Sequence, residues 1–403
     1  GSVHVEGGSY TGAGILATGV NADARVDADP QRLLITQIVA HLRQGGQIEG
    51  SVDLHPWLPP AAVVPAQLTA HGPEESRSSR NVLVRAAPFP VPFNGKVTAD
   101  FKDVALDTVL DIVAAPPYRR LGLDARLNGP AEATWSNGDA RTVSVSTTLS
   151  LSPSGQTPAG EAHTSGAIDA TYTQRNGQVD LRNLELHLPG SELQAHGALG
   201  AYPVTSPSAL TVDFHSRELS EFDAALRSLG LKRNGKTGTA ALPVDLAGQA
   251  DFLGTWTGSL VKPHLTGTLK ATQLAIETPS AGGNSGQPQF VRFDSVDATG
   301  SYSEVHIAIE HAQLIRGAAR VVLKGTLDAS PGPGPPTTSL GRRGSEPQPA
   351  FDGNSVLHAR VDAANIDVAD LQPFLAAAGG RSLPMTGTFN ARIQADGPLH
   401  TLA

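Results

Sequence analysis

Residues 184–200 read LELHLPGSELQAHGALG. Leu184, Leu186 and Leu188 alternate with Glu185 and His187; a Gly-containing turn follows, and a second alternating run then carries Gly197. Period-two alternation is the pattern of a β-strand with one apolar and one wet face. Just upstream, Val179 and Leu181 alternate in the opposite parity. That slip would turn every later side chain to the wrong face unless a β-bulge or tight turn absorbs it.

The same element recurs as IVAHLRQGGQIEGSVDL (38–54) and AQLIRGAARVVLKGTLDA (312–329), with Gly50 and Gly325 in the place of Gly197. The parity slips there too, from Leu33 and Ile35 to Ile38 and Ala40, and from Ile307 and Ile309 to Ala312 and Leu314. Three independent slips at one place are improbable, so the copies share an origin.

A second repeated element reads VTADFKDVALDTVLDIV (97–113), LTVDFHSRELSEFDAALRSLG (210–230) and LHARVDAANIDVADLQPFL (357–375). Each is a strand followed by a short helix, with Asp107, Ser220 and Asp367 expected as N-caps and Ser220 with Asp223 as a capping box. Two-turn helices do not stand alone and must dock an apolar side, through residues such as Leu226, or Leu371 with Phe374. The two elements alternate along the chain, copies about 110 to 150 residues apart. This spacing predicts one continuous array of about three repeats, near 1–115, 116–230 and 231–377, with a further unit starting at 378–403. Stretches 72–81, 153–165, 279–289 and 330–350 (the last containing PGPGPP) are expected to be flexible loops.

Composition bounds the function. Charged residues are 17% and aromatics 5% of the 403, with 43 Gly, 30 Pro and no Cys. Thiol chemistry, disulfides and cysteine metal sites are excluded. A net charge of −8 without a Lys/Arg stripe argues against a nucleic-acid partner. GLKRNGKT (230–237) matches the phosphate-loop pattern literally, but a helix is expected before it and a proline-containing strand after it, so it reads as a turn and no nucleotide is expected. His306 and His311 are the closest histidine pair, but without a third ligand they read as surface residues. Trp57, Trp135 and Trp256 are scattered, which suits strand-end packing. With no nucleophile, base or acid constellation in sight, the chain is expected to be neither an enzyme nor the holder of a metal or cofactor.

The alternation assigns an apolar face to Ile48, Val52, Val97, Phe101, Val179, Leu181, Leu184, Leu186, Leu188, Leu193, Val212, Phe214, Leu265, Leu269, Val305, Ile307, Ile309, Leu314, Val321 and Leu323. Two such faces can close on each other as a sandwich or solenoid core, the architecture of a structural stalk or adhesin. Alternatively, the face stays open as a groove.

GSELQAHGAL (190–199), LTGTLKA (265–271) and DFLGTWTGSLVKPHLTG (251–267) resemble the TamB family, the translocation and assembly module subunits of diderm bacteria, and more loosely the AsmA-like bridge proteins. The resemblance covers nearly the whole chain apart from the loops, and rests on the repetition of short motifs. It implies an all-β fold, an elongated repeating β-groove (β-taco) of stacked, mainly antiparallel strands with short crossing helices, about five strands per unit. It also implies that the residues just named line a lipid groove. The expected partners are phospholipid acyl chains, unfolded outer-membrane protein strands and an outer-membrane assembly β-barrel protein. The expected place is the periplasm, as part of an inner-membrane-anchored protein whose anchor and barrel-binding end lie outside this stretch. The task it implies is outer-membrane biogenesis, by phospholipid transport, outer-membrane protein insertion, or both.

Overall fold

The computed structural model describes all residues except 13–14, 44, 58–93, 114–121, 158–160, 202–204, 223–243, 246, 260–261, 279–288, 332–348, 350, 352, 370–385 and 402–403. The first strands are β1 (Ser2–Gly12), β2 (Ile15–Ala28), β3 (Leu33–His41), β4 (Gln47–His55) and β5 (Asn94–Ala105), followed by helix α1 (Leu106–Val113). Next come β6 (Leu123–Asp124), β7 (Arg126–Ser136), β8 (Asp139–Ser152), β9 (Ala162–His163), β10 (Ser165–Thr173), β11 (Gln178–His187), β12 (Ser191–Gly200) and β13 (Ser208–Ser216). A 3₁₀ turn (Leu219–Phe222) precedes β14 (Val244–Asp245), β15 (Gln249–Gly258), β16 (Pro263–Thr278), β17 (Gln289–Ser303), β18 (His306–Arg316) and β19 (Ala319–Asp328). The last strands are β20 (Val356–Asp367) and β21 (Thr388–Pro398).

Nineteen of these strands form one sheet, and β6 with β9 forms a small parallel pair. Pairing follows chain order and is antiparallel throughout the large sheet, from β1 to β21. The short β14 pairs with β16 just beyond the end of β15, so the two share one place and the sheet has eighteen places. Among the described residues β1 pairs only with β2 and β21 only with β20, so the sheet is open, not a barrel. Eighteen places at the usual interstrand spacing extend about 80 Å. Among the described residues the meander has no parallel rungs and no second large sheet facing it, unlike a solenoid or a sandwich.

The parity slips are bulges. Pairing shifts register between Ile35 and Ile38, between Leu181 and Leu184, and between Ile309 and Ala312. In the first, Gln37 takes up the extra length in the left-handed region, φ 53°. The partner glycines Gly50, Gly197 and Gly325 pair with Ile38, Leu181 and Ile309 at the edges of these shifts. A Cβ on each would stand 2.1, 2.3 and 2.2 Å from the carbonyl oxygens of Thr98, Ala209 and His358 on the following strand. Only a residue without a side chain lets three strands approach so closely at a bulge.

The second element ends in a crossing segment, and all three crossings lie at one margin of the sheet. They follow β5, β13 and β20, at places five, eleven and seventeen, so the repeat is six strands. This corrects the five implied by the resemblance. An even number brings the chain back to the same margin each time. The crossings are equivalent in hydrogen bonding: Leu106, Leu219 and Val368 donate their N–H groups to the carbonyls of Ala125, Gly248 and Gly387, at 2.9, 3.0 and 3.0 Å. In the first and third, a left-handed residue before the crossing (Asp103, Asn365) donates its N–H to an asparagine side chain, Asn128 or Asn390, at 2.9 and 2.8 Å. The expected repeat boundaries at 115, 230 and 377 lie outside the described residues.

Capping differs in detail. Asp107 sits inside the first turn of α1, and Ser220 inside the 3₁₀ turn with its hydroxyl donating to Glu218. Asp367 does cap: its carboxylate accepts the Ala369 N–H at 2.9 Å. Leu226, Leu371, Phe374, Asp223 and the GLKRNGKT turn lie outside the described residues, as do 72–81 and most of 279–289 and 330–350. The expected loop at 153–165 holds structure at both ends, because buried Asp124 gathers it. That carboxylate accepts the Ser154 N–H and hydroxyl at 3.1 and 2.8 Å and the Thr157 hydroxyl at 2.7 Å, and β9 follows.

Candidate functional site: an open apolar sheet face

Register turns scattered alternation into continuous rows. Ile35, Val52, Val97, Ala133, Val145, Tyr172, Val179 and Leu199 stand opposite one another in turn from β3 to β12. A second row runs Leu186, Leu193, Phe214, Phe252, Leu269, Ala298, Ala312, Leu323, Val361, Ile393 from β11 to β21. Leu184, Val212 and Ile309 belong to the row beside it, as do Gly254, Gly267, Gly300 and Gly325. Leu265 and Ile307 flank Tyr302, Leu314 faces Val321, and Ile48 faces Phe101. Side chains alternate across a strand, so opposed partners share a face and all these rows lie on one side.

Seventeen of the twenty residues assigned to this face are half-buried. Leu181 and Leu188 are buried. In a closed core, side chains of this kind are mostly buried outright, so this face is largely uncovered. Val305 is a correction: it lies in the turn between β17 and β18 and is 44% exposed, because the Ser303 hydroxyl accepts the N–H groups of Val305 and His306 and closes the hairpin there.

Among the described residues two buried apolar clusters sit at the crossing margin, and a third, Ala170, Leu181 and Leu210 with Trp256 packed against it, lies away from it. Leu106 and Val109 of α1 pack on Ala125, Leu127 and Leu151. Leu219 packs with Ala250, Ala271, Leu274 and Val296. The described parts of the first two crossings thus form a lip along one side of an apolar floor. On that floor the Phe252 ring lies against the backbones of Gly254 and Gly267, where added Cβ atoms would come within 2.7 and 2.9 Å of it. Burial lifts the Tyr302 phenol to about 12, so it stays neutral at physiological pH. The Trp256 indole N–H, between Leu210 and Leu265, is buried without a hydrogen-bond partner among the described residues.

The opposite face is polar and solvated. Lys96 pairs with Glu132 at 2.8 Å, Lys102 with Glu49 at 2.5 Å and Arg32 with Asp53 at 2.8 Å. The guanidinium of Arg32 holds Asp53 below the usual carboxylate range, and Arg182 does the same to Asp169. Exposed pairs like these contribute little stability each. They mark which face meets water. His306 is on this side, hydrogen-bonded to Asp328 at 2.6 Å. Trp57 bonds the Asp29 carbonyl at a strand end, and Trp135 covers Gly95, but Trp256 belongs to the apolar rows.

One cluster escaped sequence reasoning. Glu185, His187 and Glu192 place one ligand atom each within 4.8 Å of one another. Finding it requires the register of β11 on β12. The alternation ELH…SE gave the face but not the partner.

Among the described residues no helix is long and apolar enough to cross a membrane. No protein-family model, curated protein or solved structure matches this chain.

Proposed function

We propose that the chain is a segment of a TamB-like envelope bridge that supports outer-membrane biogenesis, with phospholipid acyl chains moving along its apolar face. One observation carries the reading: apolar rows continue through sixteen strand places, from β3 to β21, while most of their side chains stay half-exposed. A face of that length left open to water is a standing cost unless something apolar covers it. Each methylene sheltered on it gains about 0.8 kcal/mol. Transfer would be passive, requiring neither catalytic group nor cofactor, and the lip of crossings would keep the chain on its track. Insertion of outer-membrane proteins is the companion role, through unfolded strands as clients and a β-barrel partner bound by parts outside this stretch. The periplasm is the compartment in which such a bridge works.

Leu186→Arg tests the reading. Leu186 is half-buried between Gly166 and Leu193, beside the Leu127–Leu151 cluster. An arginine stem can lie along the apolar floor while its head reaches water, so the loss is about 1–2 kcal/mol and the sheet survives. Phospholipid co-purifying with wild type and variant is quantified, together with the melting of both. Lipid on wild type and depletion on a folded variant are expected. A lipid-free wild type, with a variant melting far earlier, would favour a packed structural stalk.

A further inference from the structure

The polar face pairs histidine with carboxylate repeatedly. His4 and Asp23, His215 and Asp251, His306 and Asp328, and His358 and Asp396 are directly opposed on neighbouring strands and hydrogen-bonded or ion-paired. One region goes beyond a pair. His187, Glu192, His215 and Asp251 stand opposite one another in turn on β11, β12, β13 and β15, histidine and carboxylate alternating along the row. Glu185, two residues before His187 and on the same face, places its Oε1 2.8 Å from His187 Nε2. Beyond Glu192, His215 faces it from the next strand, outside the three-residue group, with its Nδ1 hydrogen-bonded to Asp251.

A surface of ordinary ion pairs explains the isolated couples but not this grouping. Glu185 and Glu192 bring two carboxylates within 4.8 Å. Among the described residues neither is paired with a lysine or arginine; Glu192 accepts only the Gln194 side-chain amide, at 2.8 Å. Two carboxylates and an imidazole so placed converge three ligand atoms that a divalent cation can take up. The imidazoles decide which kind. Calcium and magnesium prefer all-oxygen shells, whereas mixed imidazole and carboxylate ligands suit zinc and its neighbours.

We propose that Glu185, His187 and Glu192 form a three-ligand site for a divalent transition-metal ion, zinc foremost, with His215 as the fourth ligand and Asp251 as its orienting partner. Ligand atoms around tetrahedral zinc stand roughly 3.3 Å apart, a distance that half-buried side chains already within 4.8 Å reach by small rotamer changes. Binding needs an unprotonated ring nitrogen of His187 turned to the ion, the other nitrogen keeping its proton. The ion would tie β11, β12 and β13 together on the side opposite the apolar floor, just before the second crossing. The site is independent of any lipid.

The test is calorimetric titration of the metal-free full chain with Zn²⁺, and with Co²⁺ as a visible probe of coordination. Wild type is expected to bind one ion per chain, with Co²⁺ giving the visible bands of low coordination. His187→Ala and the isosteric Glu192→Gln should each lower Zn²⁺ affinity about 100-fold or more. Asp251→Asn, acting through His215, should lower it about tenfold. His306→Ala and His358→Ala, which remove histidines from isolated pairs, should change nothing. Circular dichroism confirms that each variant keeps its sheet. Absence of stoichiometric binding to wild type, or equal losses in the His306 and His358 variants, would overturn the site and leave these residues as surface charge.

Discussion

Gly197→Ala probes the joint that sets the face of every later side chain. Gly197 has φ +122°, where an L side chain is strained by roughly 1–3 kcal/mol. Its added Cβ would also stand 2.3 Å from the Ala209 carbonyl oxygen and 3.2 Å from the Leu210 Cα. Ordinary contact begins near 3.4 Å, so β13 must retreat by about 1 Å along a stretch where its neighbours are hydrogen-bonded. Overpacking of that kind costs about 1–3 kcal/mol, and the two effects together come to about 2–6 kcal/mol. Gly50→Ala and Gly325→Ala meet the same close carbonyl without the positive φ and should lose only the overpacking part. Gly155→Ala, with nothing within 4 Å of the new atom, should stay within about 0.5 kcal/mol. Urea unfolding with local amide exchange on β12 and β13 reads the series. A Gly197 variant as stable as the Gly155 variant would refute the claim that glycine is demanded by the bulged approach.

Two further outcomes follow from the register and from Asp124. With phospholipid bound, single cysteines at 185 and 187 should react readily with a water-soluble maleimide, whereas those at 184 and 186 stay protected until the lipid is stripped; equal rates at all four in the loaded protein would break the assigned register. Burial pushes the Asp124 carboxyl up, but the Thr157 and Ser154 hydroxyls and the Ser154 N–H outweigh it, leaving it below the usual range. A folded value below the unfolded one contributes stability that is complete above about pH 4 and fades as pH falls through the lowered folded value. Asp124→Asn should therefore cost about 1.5–3 kcal/mol at pH 7, with the gap narrowing well below pH 4; urea midpoints at both pH values measure it, and a gap that does not narrow would contradict the hydrogen-bonded carboxylate.

Much of this architecture was legible because the period of a strand is strict. Alternation assigned faces, and its slips at 35/38, 181/184 and 309/312 marked the bulges, since a parity change has few structural solutions. The recurring Gly50, Gly197 and Gly325 were visible as a pattern, but their cause, the carbonyl of a third strand, exists only once strands are stacked. Val305 continued the alternation of Ile307 and Ile309 and was misplaced because a hairpin closed by the Ser303 hydroxyl leaves no trace in hydropathy. The six-strand repeat was hidden by insertions that make the residue spacing uneven, and His187 met Glu192 and His215 only through register. Openness was invisible as well, because a row of leucines reads alike under a second sheet and under a lipid.

The central claim is that the apolar rows shelter acyl chains along their whole length. Site-specific photo-crosslinking in cells measures this directly, with a photoreactive residue placed in turn at Leu186, Leu269, Leu323 and Val361 on the apolar face. Control placements at Glu185, Lys270 and Lys324 lie on the polar face. Phospholipid adducts at all four apolar positions and none at the controls are predicted. Adducts on neither face, or protein clients in place of lipid along the rows, would contradict the account.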